Sequence, residues 1–227
     1  MHLFKKLAKA FMIILLAAVT GFALAGCGGS GTSSSSAKAP AAGAAKTPAK
    51  PGDKLIIPML DIGQGDAFLL EKDGKFAMID TGDVEHREAL VKYLHEYGVK
   101  ELSNVIITHP HADHMGGMKA VFDNIKVDNI YDDGVPTNTN TYKTYLKNIK
   151  TKNIPFHIPK AGETIALFDG VDFHVAGPVS EITDQKGRPD LNNNSIVGKL
   201  TYGDFSMLFT GDAEKEEESA ILKSGFD

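Results

Sequence analysis

Six consecutive residues, His109-Pro110-His111-Ala112-Asp113-His114, restrict this chain more than any other feature. Three imidazoles and a carboxylate packed so closely are costly in a core and without purpose on a surface. Imidazole nitrogen and carboxylate oxygen are, however, the donor set of zinc, manganese or iron. Residues two apart in an extended loop point the same way, and Pro110 disfavours the helical region for the residue before it. His109 and His111 can therefore share one ion, leaving Asp113 and His114 to face a second. A chance polar loop is the alternative. The single cysteine, Cys27, excludes an intrachain disulfide and an all-cysteine metal site.

The flanking pattern puts this loop at the end of a buried strand, since Asn104 to Thr108 is a short apolar run. Upstream, Lys54 to Leu60 reads as a strand, followed by a hairpin of Ala67 to Glu71 and Lys75 to Ile79 about the Asp73-Gly74 turn. Glu85 to Tyr97 has helical apolar spacing and stops at Gly98. Downstream come a short helix at Gly117 to Asn124, a strand at Val127 to Tyr131 and a helix at Thr141 to Lys150. The texture then turns to strands at Thr164 to Phe168, Val171 to Ala176, Ser195 to Tyr202 and Phe205 to Thr210, with a last helix at Glu214 to Lys223. Strands and helices mixed in this order predict an α/β fold with helices packed outside sheets.

The first 52 residues do not belong to that fold. Lys5, Lys6 and Lys9 precede an apolar stretch, Phe11 to Val19, that is short for a membrane span. Leu24-Ala25-Gly26-Cys27 resembles a bacterial lipobox, and the one cysteine stands where lipidation requires it. Residues 1–26 are thus expected to be a lipoprotein signal peptide, with Cys27 lipidated and the protein held outside the cytoplasm on the bacterial membrane. Gly28 to Gly52 has no large apolar residue and reads as a disordered tether with a reach of roughly 25–30 Å. Residues 53–227 form the one expected domain. Of the 227 residues, 42% are hydrophobic and 23% charged, normal for a globular chain, and the net charge of -5 gives no general affinity for nucleic acid or anionic lipid.

The loop from His109 to His114 resembles the signature of the metallo-β-lactamase superfamily. Two further segments match in order: Met78-Ile79-Asp80-Thr81-Gly82, a strand ending in Asp, and Leu208-Phe209-Thr210-Gly211-Asp212. Leu60-Asp61-Ile62-Gly63-Gln64-Gly65-Asp66-Ala67 and Asn192-Asn193-Asn194-Ser195 are similar to segments of ComEC-type competence proteins, DNA-uptake proteins whose soluble domain is implicated as a nuclease. The resemblance implies a four-layer αββα sandwich with two divalent ions, zinc or manganese. It implies His109 and His111 on one ion, Asp113 and His114 on the other, and Asp212 bridging them. Asp113 and Asp80 are the carboxylates expected in the catalytic set, Asp80 by orienting a ligand histidine. Asp61, Asp66, Asn193, Asn194 and Ser195 would stand behind the ligands, although Asp61 and Asp66 read equally well as parts of structural turns. Many members carry a ligand histidine where this chain has Asn193 to Ser195, a gap that the ComEC-like members share. Relatives also continue to paired histidines beyond the Gly-Asp helix, so the sandwich is expected to be incomplete at its C-terminus.

Three functions fit. One is hydrolysis of extracellular phosphodiesters by a ComEC-like nuclease linked to DNA processing or uptake, each ion lowering the pKa of bound water toward about 7. The second is a cell-wall phosphocholine esterase or other hydrolase on the same fold. The third is a surface binding lipoprotein with impaired catalysis. The remaining histidines have plainer readings: His86, His95 and His157 as surface or packing residues, and His174 as a solvent-facing strand residue or substitute ligand. Lys143, Lys147 and Lys150 at helical spacing read as a solvated helix face, or as a strip meeting a phosphate backbone.

Overall fold

The computed structural model describes residues 54–226. The expected signal peptide, Cys27 and the tether lie outside the described residues. Among those described, no helix is long and apolar enough to cross a membrane.

Two antiparallel strands, β1 (Phe68–Lys72) and β2 (Lys75–Ile79), open the fold about the Asp73-Gly74 turn. Next come α1 (Arg87–Glu96), β3 (Glu101–Leu102), β4 (Asn104–Ile107), α2 (Ala112–Met115) and α3 (Met118–Asn124). They are followed by β5 (Lys126–Val127), β6 (Ile130–Asp132), α4 (Asn140–Lys152) and β7 (Phe156–His157). The second half holds β8 (Thr164–Phe168), β9 (Val171–Gly177), a 3-10 turn at Asn192–Asn194, β10 (Val197–Tyr202), β11 (Phe205–Phe209) and α5 (Lys215–Ser224).

These strands form a five-stranded sheet in the order β1-β2-β4-β6-β7 and a four-stranded antiparallel sheet in the order β11-β10-β9-β8. The strands β2, β4, β6 and β7 run parallel, so their carboxyl ends share one edge. Side chains alternate between the faces of a strand, and the first sheet is apolar on both. Met78, Val105, Ile107 and Ile130 face one core, packed on Leu90 and Leu94 of α1, Val121 and Phe122 of α3, and Tyr145 and Ile149 of α4. Ala77, Ile79 and Ile106 face the other, against Phe173, Val175, Leu200 and Phe209 of the second sheet. With α5 packed on β9, the order is helix, sheet, sheet, helix, the αββα arrangement expected.

Two strand readings change. Lys54 to Leu60 makes only isolated bridges, Ile56 with Glu71 and Met59 with Phe68. Pro58 between them has no N–H to donate, which interrupts the ladder. The run expected from Val127 to Tyr131 is divided into β5, which pairs with β3, and β6, which pairs with β4. Lys143, Lys147 and Lys150 are exposed, while Tyr142 and Tyr145 of the same helix are buried, so the lysines occupy the solvated face.

Candidate metal centre

Asp80 follows the last residue of β2, fully buried and with a φ of 55°. Such a backbone is unfavourable for a residue with a Cβ, and it persists only where surrounding contacts fix it. Here they do. The Thr108 amide donates to Asp80 Oδ1 at 2.8 Å, and the Thr108 hydroxyl donates to Oδ2 at 2.7 Å, so the carboxylate ties the end of β2 to the end of β4. His114 Nδ1 lies 2.8 Å from Asp80 Oδ2, which leaves His114 Nε2 to point outward. Burial raises the pKa of Asp80 while the bond to His114 opposes the rise.

Facing this pair, His109 Nε2 and His111 Nδ1 stand 3.0 Å apart. Two ligands of one tetrahedral zinc at 2.0–2.1 Å are separated by roughly 3.3 Å, close to that spacing. Asp212 reaches both sides: its Oδ2 is 3.7 Å from His109 Nε2 and its Oδ1 is 3.2 Å from His114 Nε2. Its side chain is 39% exposed, so the cluster opens outward at this residue. Donor atoms of His109, His111 and Asp212 all lie within 4.8 Å of one another, as do those of Asp66, Asp80 and His114. Asp80 is better assigned as support than as ligand, because its oxygens already accept from Thr108 and His114. The donors left for a second ion are His114 Nε2, Asp212 and Asp66. Two convergent sets of imidazole nitrogen and carboxylate oxygen fit divalent ions.

Charge supports the assignment. Burial, together with His114 and His111 nearby, pushes His109 down to about 2, so its ring is neutral with a lone pair to offer. Burial also works against a charge on His114, but the hydrogen bond and charge of Asp80, then Asp212 and Asp113, push it up to about 9 without metal. The carboxyl of Asp66 is raised by burial, partly offset by His114.

The loops around the cluster are pressed together at glycines. Gly65 has a φ of 93°, and a Cβ there would sit 1.9 Å from the Asp113 carbonyl oxygen. At Gly211, with a φ of 49°, a Cβ would lie 2.8 Å from Thr108. Behind Gly211, the Asp212 amide donates to Ser195 Oγ at 3.2 Å. Asn193 Oδ1 accepts from the amides of Glu214 and Glu217, each at 3.2 Å, and so caps the start of α5. Asn194 Nδ2 donates to the carbonyls of Ile182 and Asp190. Ser195 thus touches the Asp212 backbone directly, while Asn193 and Asn194 order the turn beside it and the start of α5.

Other expectations fare unevenly. Asp113 belongs to neither donor triplet, although it is near enough to act electrostatically on Asp66 and His114, and Gln64 Nε2 stands 3.5 Å from its Oδ2. Asp61 is exposed and in neither triplet. Asp66 comes closer to the donors than a turn residue should; the Asp between two turn glycines and a strand was the only signal of it. His86 pairs with Asp83 at 2.9 Å, His157 stacks on Tyr131, and His95 is exposed. His174 is half-buried on the second sheet between the hydroxyls of Thr164 and Thr201, each at 3.0 Å, and so is no substitute ligand. Sequence reasoning missed Thr108, whose signal was its place just before His109. It also missed Glu217, which is fully buried beside the Asn turn.

Two facing sheets with a histidine and aspartate donor set at their shared edge define a metal-binding αββα domain. The chain belongs to the metallo-beta-lactamase superfamily, whose family model matches residues 60–226. It is 27% identical to ComE operon protein 3 of Bacillus subtilis over 186 residues, 73% of this chain and 23% of that protein. It is 26% identical to the competence protein ComA of Neisseria gonorrhoeae over 179 residues, 78% of this chain and 23% of the relative. The match thus spans about a quarter of either relative. The metallo-beta-lactamase fold protein YhfI from Bacillus subtilis is a structural neighbour at a TM-score of 0.47 and 12% identity, covering 70% of this chain and 62% of YhfI.

Proposed function

We propose that this chain is a metal-dependent phosphodiesterase that cuts DNA outside the cytoplasm, held at the membrane by a lipid on Cys27. The observation that carries the reaction class is Asp212, whose two oxygens face His109 on one side and His114 on the other. Such a carboxylate could be shared by two divalent cations, which would suit displacement at phosphorus. Zinc or manganese there would supply Lewis acidity to an attacking water and to the substrate oxygens.

The chain's own residues do the rest. His109 stays neutral in its buried position and presents Nε2 beside His111 Nδ1. Asp80 fixes the His114 ring through Nδ1, and the Ser195 hydroxyl steadies the Asp212 backbone. The half-exposed face of Asp212 leaves room for a substrate phosphate. DNA as the substrate is supported by relatives named for competence and by the ComEC-like segment around Gly63 to Asp66.

Linear and plasmid DNA, offered to the full chain with manganese, zinc or magnesium, test the reading. Cleavage of linear DNA with manganese or zinc, lost in His111→Ala, is the expected result. Intact DNA together with choline released from cell wall would replace this reading by the esterase.

A further inference from the structure

A second cleft opens beside the metal centre, among the first turns of the helices that follow β2, β4 and β6. Its volume is about 190 Å³, and Arg87, Lys119, Asn140, Thr141 and Thr144 line it together with apolar residues that include Met115. Because α1, α3 and α4 all start beyond the carboxyl ends of parallel strands, this cleft shares the edge of the sheet that carries Asp80 and His109. That edge is where open α/β sheets bind ligands.

Arg87 is the decisive residue. It is half-buried, and its Nε donates to the Gly116 carbonyl at 2.7 Å, two residues past His114, which fixes the guanidinium plane. No carboxylate among the described residues forms an ion pair with it. A fixed, partly desolvated guanidinium lacking an acidic partner is a fork for a planar or tetrahedral oxyanion. Lys119 adds a second cation at the cleft, shared with Asp123 on its own helix. Thr141 and Thr144 add hydroxyls, and the first turn of the 13-residue α4 turns its positive end the same way. All this occurs in a chain with more acidic than basic residues, so the positive character is local. The cleft holds the volume of about six waters, enough for a phosphate group and its hydration but not for a base pair.

We infer that this cleft is a subsite for a backbone phosphate of a polynucleotide, one that holds the strand while a neighbouring phosphodiester lies at the metal centre. The inference rests on the phosphodiesterase reading for its substrate class, but its test does not require turnover. The full chain in EDTA is titrated with a fluorescent 20-nucleotide single strand at several salt concentrations. Arg87→Gln should weaken binding at least five-fold and lower the slope of log Kd against log salt by about 0.7, the share of one phosphate contact. Arg87→Lys keeps the charge but loses the fork and the tie to Gly116. It should restore the parent's salt slope while recovering only part of the affinity, whereas a purely structural arginine would make it behave as the glutamine variant does. If Arg87→Gln does not fold, Lys119→Gln supplies the same reading from the opposite wall. With metal restored, the ratio of kcat/KM for the 20-nucleotide strand to that for bis(p-nitrophenyl) phosphate should fall at least five-fold in Arg87→Gln. Unchanged affinity and salt slope in both Arg87→Gln and Lys119→Gln overturn the subsite. Affinity lost in those variants while no metal supports cleavage by the parent leaves the subsite standing and removes the phosphodiesterase reading.

Discussion

At Asp80 a buried carboxylate and a left-handed backbone are combined in one residue, and both serve the orientation of a single imidazole. Replacing Asp80 by Asn keeps the shape but offers only one oxygen to Thr108 and His114, and its amide group must face one of them as a donor. His114 Nδ1 then loses a charged acceptor, and the ring loses its preferred tautomer. Metal affinity should fall about 10–100-fold, the usual effect of removing a partner behind a ligand histidine, as read by competition with a chromogenic chelator. An affinity within two-fold of the parent would show that His114 is held by packing alone. Asp80, His109, His111, His114 and Asp212 were legible in the sequence because strand ends and close spacing make the chemistry local. Asp66 was less so, since one carboxylate among turn glycines has an equally good structural explanation. Glu217 could not be read at all: among Glu214, Glu216 and Glu218 it looks like one more solvated acid in a first helical turn. Only packing against Gly177 and the Asn turn reveals it as buried.

Elements with a strong local signal were recovered from the sequence, β4, β9 and β10 among them although their partners lie far along the chain. The segments misread were those whose residues suit a strand that the pairing does not supply. The hairpin β1–β2 and the helices α1, α4 and α5 follow from turn residues and apolar period. The segment before the hairpin was read as a strand because its residues suit one, but strand identity belongs to the ladder, and Pro58 breaks it. The 3-10 turn at Asn192–Asn194 had no periodic signal; its order comes from Asp190, Ile182 and the start of α5, all of which it bonds. Asn193 is the clearest case, since its side chain caps a helix that begins more than 20 residues later. Asn193→Ala removes the acceptor for two amides and should cost about 1–2 kcal/mol. For a domain of this size that lowers the midpoint of thermal unfolding by roughly 2–8 °C. The same variant should also bind metal more weakly, because Ser195 and the Asp212 loop lean on the turn. A drop in Tm without any change in metal affinity would separate the cap from the site.

Across the whole molecule, the residues that position the site also leave buried acids on both sides of the sandwich. Asp132 and Asp133, at the end of β6, are buried within hydrogen-bond reach of each other. Their Oδ1 atoms accept from the amides of Gly134 and Val135, and the buried Tyr145 hydroxyl stands beside Asp132 as a further hydrogen-bond donor. Burial and then the charge of Asp132 push Asp133 up to about 9, and burial with help from Asp190 pushes Glu217 up to about 8. Unfolded, the two groups titrate near 3.8 and 4.5. A folded pKa above the unfolded one gives stability that is complete below the unfolded value and is lost as pH rises through the folded value. From about pH 4 to pH 9 the folded chain therefore retains protons that the unfolded chain has released, and these acids weaken it progressively over that window. Asp133→Asn copies the protonated carboxyl without the titration. Its Tm should exceed that of the parent at pH 8, with the excess shrinking as pH falls to 4.5, where the unfolded acid begins to take up the proton that the folded one already holds. Thermal unfolding at pH 4.5, 6 and 8 in EDTA, which removes the separate pH dependence of metal binding, measures the difference directly. A gain or loss of equal size at all three values would mean that the pair is ionised in the folded protein and that its charge is matched by a group outside this cluster.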